Sequence, residues 1–184
     1  MGKLTLILGG ARSGKSTYAE KLAKEIGGDW VLYVATSEAK DEEMRERIEK
    51  HRAARPVAWI TVEAPRSIAQ VIVHARCGEE VVLVDCITVL VSNILLAESR
   101  KANENPFNVK VEEAVNDEVT QLLRIIHQTK GHFLLVSNEV GMGLVPPYAL
   151  GRAYRDLLGR ANQRLTEAAD DVFFLVAGLP MQMK

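Results

Sequence analysis

Short apolar runs alternate along the whole chain with longer stretches whose apolar residues recur every three or four positions. Leu4-Thr5-Leu6-Ile7-Leu8 reads as a buried strand, and Ser16 to Ile26 as a helix with Tyr18, Ala19, Leu22, Ala23 and Ile26 along one side. Gly27-Gly28-Asp29 breaks that helix, and Trp30 to Thr36 predicts a second buried strand. A very polar helix is expected from about Lys40 to Arg55, stopped by Pro56. Ala58 to Val62 predicts a short strand, Ser67 to Ala75 a helix with Ile68, Val71, Ile72 and Ala75 on its apolar face, and Val81 to Asp85 a strand covered on both faces.

The alternation continues with a helix over Val89 to Ala97, then a polar surface connection from Glu98 to Asn108 centred on Asn103-Glu104-Asn105-Pro106. Val111, Val115, Val119, Leu122, Leu123 and Ile126 form the stripe of a helix from Val109 to Lys130, which Gly131 stops. Phe133 to Ser137 predicts a strand, Tyr148 to Ala169 a long helix, and Val172 to Val176 the last strand. Strands separated by helices require right-handed crossovers, so the expected fold class is α/β, with a mainly parallel central sheet and helices on both faces. A length of 184 residues suits one domain spanning 1–184.

Between the first strand and the first helix lies Gly9-Gly10-Ala11-Arg12-Ser13-Gly14-Lys15-Ser16, which fits the G-x-x-x-x-G-K-[ST] phosphate-binding loop in the one context that makes it credible. Glycines at 9, 10 and 14 let backbone N–H groups turn inward on a polyphosphate, and the helix beginning near Lys15 adds its positive dipole end. Lys15 is placed to reach the outer phosphates and the Ser16 hydroxyl to ligate Mg²⁺. Arg12 either assists phosphate or is solvated.

In open parallel sheets ligands gather beyond the carboxyl ends of the strands. Asp85 closes an apolar strand there and is the candidate acidic partner of Mg²⁺; the alternative is a strand-end turn or a helix cap before Thr88. Asn138-Glu139-Val140-Gly141-Met142-Gly143 reaches the same edge as either a substrate-contacting rim or a structural turn. On the polar helix, Met44, Ile48, His51 and Arg55 share one face, and Arg47, Arg52 and Arg55 surround the imidazole with guanidinium groups. Such cations suit phosphate oxygens and favour the neutral imidazole that attacks phosphorus, although a lone histidine beside an apolar stripe is also an ordinary structural residue. His74, His127 and His132 read as structural.

A formal net charge of −1 with interspersed signs argues against a nucleic-acid partner. Cys77 and Cys86 lack any zinc-ligand spacing, and no apolar segment approaches the roughly 18 residues of a membrane span, so a cytoplasmic protein with reduced thiols is expected.

The loop at 9–16, Tyr-Val-Ala-Thr-Ser at 33–37, Arg-Ile-x-x-His-Arg-x-x-Arg-Pro at 47–56, Asp85-Cys86-Ile87-Thr88 and Asn-Glu-Val-Gly-Met-Gly-Leu-Val-Pro at 138–146 together resemble the bifunctional adenosylcobinamide kinase / adenosylcobinamide-phosphate guanylyltransferase family of cobalamin biosynthesis. The resemblance runs almost end to end and implies a three-layer, RecA-like P-loop NTPase fold and a homotrimer. It implies two reactions: ATP or GTP phosphorylates adenosylcobinamide, and GTP then guanylylates a histidine, which passes GMP to adenosylcobinamide phosphate. His51 matches that histidine; Lys15 is the second candidate catalytic residue, suited to screening charge at the γ-phosphate in the kinase step. The nucleotide contacts implied are Gly9, Gly10, Ala11, Arg12, Ser13, Gly14, Lys15, Ser16, Val34, Ala35, Thr36, Arg52, Ala53, Ala54, Arg55, Glu63 and Asp85, with Ser16 and Asp85 on Mg²⁺. On the residues alone, a single-activity P-loop small-molecule kinase and a nucleotide-operated binding protein stay open.

Overall fold

The computed structural model describes residues 1–38, 42, 46, 55–76, 78, 80–101 and 106–184. Seven strands form one sheet: β1 (Lys3–Gly9), β2 (Val31–Ala35), β3 (Ile60–Glu63), β4 (Val81–Asp85), β5 (His132–Asn138), β6 (Asp171–Val176) and β7 (Leu179–Gln182). The helices are α1 (Lys15–Gly27), α2 (Ile68–Ala75), α3 (Ile87–Lys101), α4 (Val109–Gln128) and α5 (Ala149–Ala168). Strand order is β3-β2-β4-β5-β1-β6-β7, parallel throughout except for the antiparallel β6–β7 pair. The expected α/β class and its mainly parallel sheet are what the chain adopts.

Both faces of the central strands are buried, which is why those strands read as unbroken apolar runs. Leu32, Val34, Val82, Val84, Phe133 and Leu135 point to one side, into the core shared with α2 to α5. Val31, Tyr33, Val81, Leu83, Leu134 and Val136 point to the other, where Ala19 and Ala23 of α1 and the Trp59 ring cover them. The Trp59 indole N–H donates to the Gly28 carbonyl at 2.9 Å, closing the end of that second core.

The face that α1 turns to the sheet differs from the expected stripe. Lys15, Ala19, Ala23 and Gly27 are its buried residues, while Ile26 is exposed. Small residues at every fourth position bring the helix axis close to the sheet; a Cβ on Gly27 would stand 2.8 Å from a Val81 methyl. The largest apolar side chains of α1 therefore flank the contact instead of forming it.

Helix α2 is capped from outside its own segment: the Ser67 and Ile68 N–H groups donate to the Glu118 carboxylate of α4 at 3.1 and 2.7 Å. A carboxylate there satisfies two orphan donors and meets the positive end of the helix dipole. Helix α4 starts where its pattern predicts, with the Asn108 side chain accepting from Lys110 N–H. Helix α3 runs through Glu98 to Lys101, residues whose polarity reads as loop, so the surface connection is shorter than expected. Most of the polar helix expected from about Lys40 to Arg55 lies outside the described residues, as do Cys77 and 102–105.

Strand β7 is the element that the hydropathy pattern leaves out. Ala177 and Gly178, both with positive φ, join β6 to β7 in a two-residue hairpin. Both left-handed angles match the twist of the flanking strands, and Pro180 fits because β7 is an edge strand.

At the amino end of the sheet, His132 Nε2 and Thr5 Oγ1 are 2.7 Å apart, and Asp171 lies 3.4 Å from the same hydroxyl and 2.8 Å from Lys3 Nζ. This chain ties β5, β1 and β6 together across their starts. Burial pushes the His132 pKa below its ordinary value, assisted by Lys3 and opposed by Asp171 and Asp170. The folded state thus disfavours the imidazolium. The His132 contribution to stability should be fully present above about pH 6.5 and be lost as pH drops below it, because unfolding then takes up a proton. Urea titrations from pH 7.5 to 5 check this: His132→Gln, which keeps a hydrogen-bonding side chain but cannot titrate, should flatten the slope near pH 6, and an unchanged slope would contradict it.

Candidate functional site

The strand order gathers the carboxyl ends of β1, β2, β4 and β5 at one edge, where a cleft of about 640 Å³ opens. Its walls include Ala11 to Thr17, Tyr33, Ala35, Ser37, Arg55, Asp85, Cys86, Thr88 and Asn138. The loop between β1 and α1 forms the floor. Gly14 occupies the N-cap position at φ 92°, leaving the first turn of α1 without a side-chain cap or an acidic residue. The N–H groups and positive dipole end of the helix consequently face the cleft with no carboxylate in the first turn to neutralise them.

Lys15 is only 7% exposed, and its ammonium donates to the Gly10 carbonyl at 2.6 Å with Ser13 Oγ at 3.5 Å. Burial lowers its pKa, with the Asp85 charge opposing the shift. An ammonium withdrawn from water and held by one good acceptor is poised to exchange that acceptor for an anion. Arg12, exposed and at φ 55°, stands at the lip of the loop.

Asp85 ends β4 with one carboxylate oxygen accepting from the Tyr33 hydroxyl at 2.9 Å. Burial and the Asp85 charge push the Tyr33 pKa far upward, so the phenol is a neutral donor at any working pH. Ser16 and Asp85 both line the cleft. Two hard oxygen donors beside a phosphate loop suit Mg²⁺, which keeps most of its ligands as water and phosphate. No cluster of three or more His, Cys, Asp or Glu able to hold a metal occurs among the described residues.

Thr36 is fully buried and spends its hydroxyl on the backbone, donating to the Cys86 carbonyl and accepting from the Cys86 N–H, each at 2.8 Å. Asn93 Nδ2 donates to the Thr36 carbonyl at 3.0 Å. Val34 is buried in the opposite core, so of Val34, Ala35 and Thr36 it is Ala35 that lines the cleft. Glu63 ends β3 beside Ala35 in register and is exposed, outside the cleft wall. Arg55 is at the wall, its guanidinium 3.3 Å above the Tyr33 ring and its Nε 3.7 Å from Glu20. His51, Arg52, Ala53 and Ala54 lie outside the described residues.

After β5, Glu139 N–H donates to the Gly9 carbonyl and its carboxylate accepts from Gly141 N–H, so this segment folds as a turn over its own side chain. Beyond it Met142, Leu144 and Val145 are exposed. Of the two expectations for the segment, the turn is what Glu139 forms, and residues 142–145 are not among those lining the cleft.

Three features escape sequence reasoning. Tyr33 reads as a core aromatic, yet its hydroxyl reaches the site. Thr88 reads as a helix-start residue, but its hydroxyl accepts from Asn138 N–H at 2.6 Å and joins β5 to α3. The β6–β7 turn reaches the phosphate loop: Gly178 N–H donates to the Ser13 carbonyl at 2.9 Å, and a Cβ on Gly14 would stand 3.2 Å from Gly178 Cα. A glycine followed by the Leu179-Pro180-Met181-Gln182-Met183 alternation was the available signal for that hairpin.

Residues 5–183 match the family model described as "Cobinamide kinase / cobinamide phosphate guanyltransferase". The chain is 39% identical over 182 residues to the bifunctional adenosylcobalamin biosynthesis protein CobU of Salmonella typhimurium strain LT2, covering 98% of this chain and 99% of that protein. It is 40% identical over 183 residues to the CobU of Escherichia coli K12, covering 98% and 99%. To the CobP of Pseudomonas aeruginosa PAO1 it is 42% identical over 179 residues, covering 97% and 96%. Among solved structures it resembles the flagellar accessory protein FlaH from Methanocaldococcus jannaschii, with TM-score 0.52, 16% identity, and coverage of 100% of this chain and 78% of that one. It also resembles an ATPase from the type III secretion system of pathogenic bacteria, with TM-score 0.57, 10% identity, and coverage of 99% and 57%. These structural likenesses establish a P-loop ATPase-type fold.

The contact between the hairpin and the phosphate loop depends on Gly178, whose φ of 85° no side chain occupies without strain. Gly178→Ala should destabilise the fold by about 1–2 kcal/mol in urea titrations. Unchanged stability would show that the hairpin turn is not fixed as described.

Proposed function

The chain belongs to the cobinamide kinase / cobinamide phosphate guanyltransferase family, and from that premise we propose that one unit spanning residues 1–184 phosphorylates adenosylcobinamide and then converts its phosphate to adenosylcobinamide-GDP. The observation that supports this most strongly is the buried Lys15 ammonium on the floor of a cleft whose wall also carries Asp85, Ser16 and Arg55.

In the kinase reaction the amides of residues 11–16 and the end of α1 receive the polyphosphate of ATP or GTP. Lys15 exchanges the Gly10 carbonyl for phosphate oxygens and stabilises the charge that builds up during transfer. Ser16 and Asp85 would hold Mg²⁺, which would add further screening of that charge. Positioning contributes most of the rate, since phosphoryl transfer asks for little covalent chemistry from the protein.

In the nucleotidyl reaction a His51 ring nitrogen attacks the α-phosphorus of GTP, the N–P bond forms, and pyrophosphate leaves. A phosphate oxygen of adenosylcobinamide phosphate then attacks the same phosphorus and displaces the imidazole. Covalent catalysis divides one difficult displacement into two easier ones. Arg52 and Arg55 are assigned to phosphate oxygens, with Gly9, Ala35, Ala53 and Ala54 contacting the nucleotide, while Val34 and Thr36 support Ala35 from behind the wall and Glu63 stands beside it at the end of β3. Working as a homotrimer in the cytoplasm belongs to the same reading.

Incubation with α-labelled GTP and Mg²⁺ tests the transfer. Label that is acid-labile and alkali-stable should appear on the protein and vanish in His51→Ala. Absence of label from the wild-type protein, with cobinamide phosphorylation intact, would reduce the function to a kinase. Lys15→Ala should slow both reactions by about 100-fold or more, measured by product formation at saturating nucleotide. Wild-type rates in both assays would remove the phosphate loop from the chemistry.

A further inference from the structure

Tyr33 lies in β2, 2% exposed, and part of its side chain reaches the floor of the cleft. In register, Tyr33 stands beside Leu83 and Ala35 beside Asp85, which makes Asp85 the diagonal neighbour two residues along the adjacent strand. A phenol spans that diagonal, and its hydroxyl donates to the Asp85 carboxylate at 2.9 Å. The face of the same ring carries the Arg55 guanidinium at 3.3 Å from the centroid. Two chemically different parts of one side chain thus grip two charged groups of opposite sign.

We propose that Tyr33 is a positioning residue that aims the Asp85 carboxylate with its hydroxyl and seats Arg55 with its ring, holding both groups of the cleft wall in one mutual geometry. Each contact has a distinct consequence. A single donor on one carboxylate oxygen fixes the rotation of Asp85 and leaves the other oxygen for the cleft. A guanidinium laid flat on an aromatic face keeps its N–H edge for in-plane acceptors, as an anion or the nearby Glu20 carboxylate would require. The ordinary role of a buried tyrosine, filling a core, needs the ring alone and predicts no coupling through the hydroxyl. The contacts stand on geometry; their catalytic consequence rests on the function proposed above.

Double-mutant cycles in urea on the ligand-free protein test the contacts without reference to activity. Tyr33→Phe, which keeps the ring, should couple to Asp85→Asn by at least about 5-fold in the unfolding equilibrium constant. Tyr33→Leu should couple comparably to Arg55→Met, whereas Tyr33→Phe should leave Arg55→Met nearly additive. Additivity within about 2-fold in both of the coupled pairs would overturn the inference. Kinetics then test positioning. Tyr33→Phe should lower kcat for cobinamide phosphorylation by roughly 10-fold while the nucleotide KM stays within about 2-fold, since a misaimed carboxylate impairs the transition state more than binding. Unchanged kcat, or a loss confined to KM, would also overturn it. A wild-type protein without kinase or guanylylation activity but with intact coupling would instead sink the proposed function and leave the Tyr33 contacts standing.

Discussion

A largely buried ammonium lining the cleft is the constraint on which this site is organised. Lys15 cannot be moved outward without leaving the first turn of α1, and it cannot stay where it is without an acceptor, which the Gly10 carbonyl supplies. Burial of a charge this size is unfavourable unless it is compensated. The compensation here is local and exchangeable: one carbonyl of the loop, a hydroxyl at longer range, and the field of Asp85. In the proposed function an entering polyphosphate takes the place of the Gly10 carbonyl on the ammonium, so that the cost of burying Lys15 favours an anionic ligand.

Several apparently unrelated features of the fold serve that arrangement. The i, i+4 stripe of Lys15, Ala19, Ala23 and Gly27 seats α1 closely on the sheet and aims its amino end into the cleft. The parallel order β2-β4-β5-β1 brings four strand ends to one edge. The β6–β7 turn braces the loop through Gly178 and the Ser13 carbonyl. Thr36, Thr88 and Asn93 stitch the neighbouring strand ends to one another with side-chain to backbone hydrogen bonds. Rigid support of this kind holds donors in place before a ligand arrives, which is how electrostatic stabilisation avoids a reorganisation cost.

What was legible in the sequence follows from where the physics is local. Strands buried on both faces are continuous apolar runs, so β1, β2, β4 and β5 could be read directly, and β6 keeps such a run although only its Val172 and Leu175 are buried. The phosphate loop was readable because its residue types are fixed by backbone geometry and charge. Periodicity failed where a helix packs through small residues: it assigned Ile26 to the buried face of α1, whereas Gly27 makes the contact. It failed again at Glu98 to Lys101, where polar residues continue a helix. Strand β7 was missed because an exposed edge strand containing proline has no apolar run to announce it. Tyr33 could not be recognised because its role depends on a diagonal across two strands that sit far apart in sequence.

The claim at the centre is that the glycine loop and Lys15 form the nucleotide seat used in both reactions. A crystal structure with a non-hydrolysable GTP analogue and Mg²⁺ measures it most directly. The account predicts phosphate oxygens within hydrogen-bonding distance of Lys15 Nζ and of the amides of residues 11–16, with the Gly10 carbonyl released. A nucleotide bound elsewhere, with Lys15 still on Gly10, would contradict it.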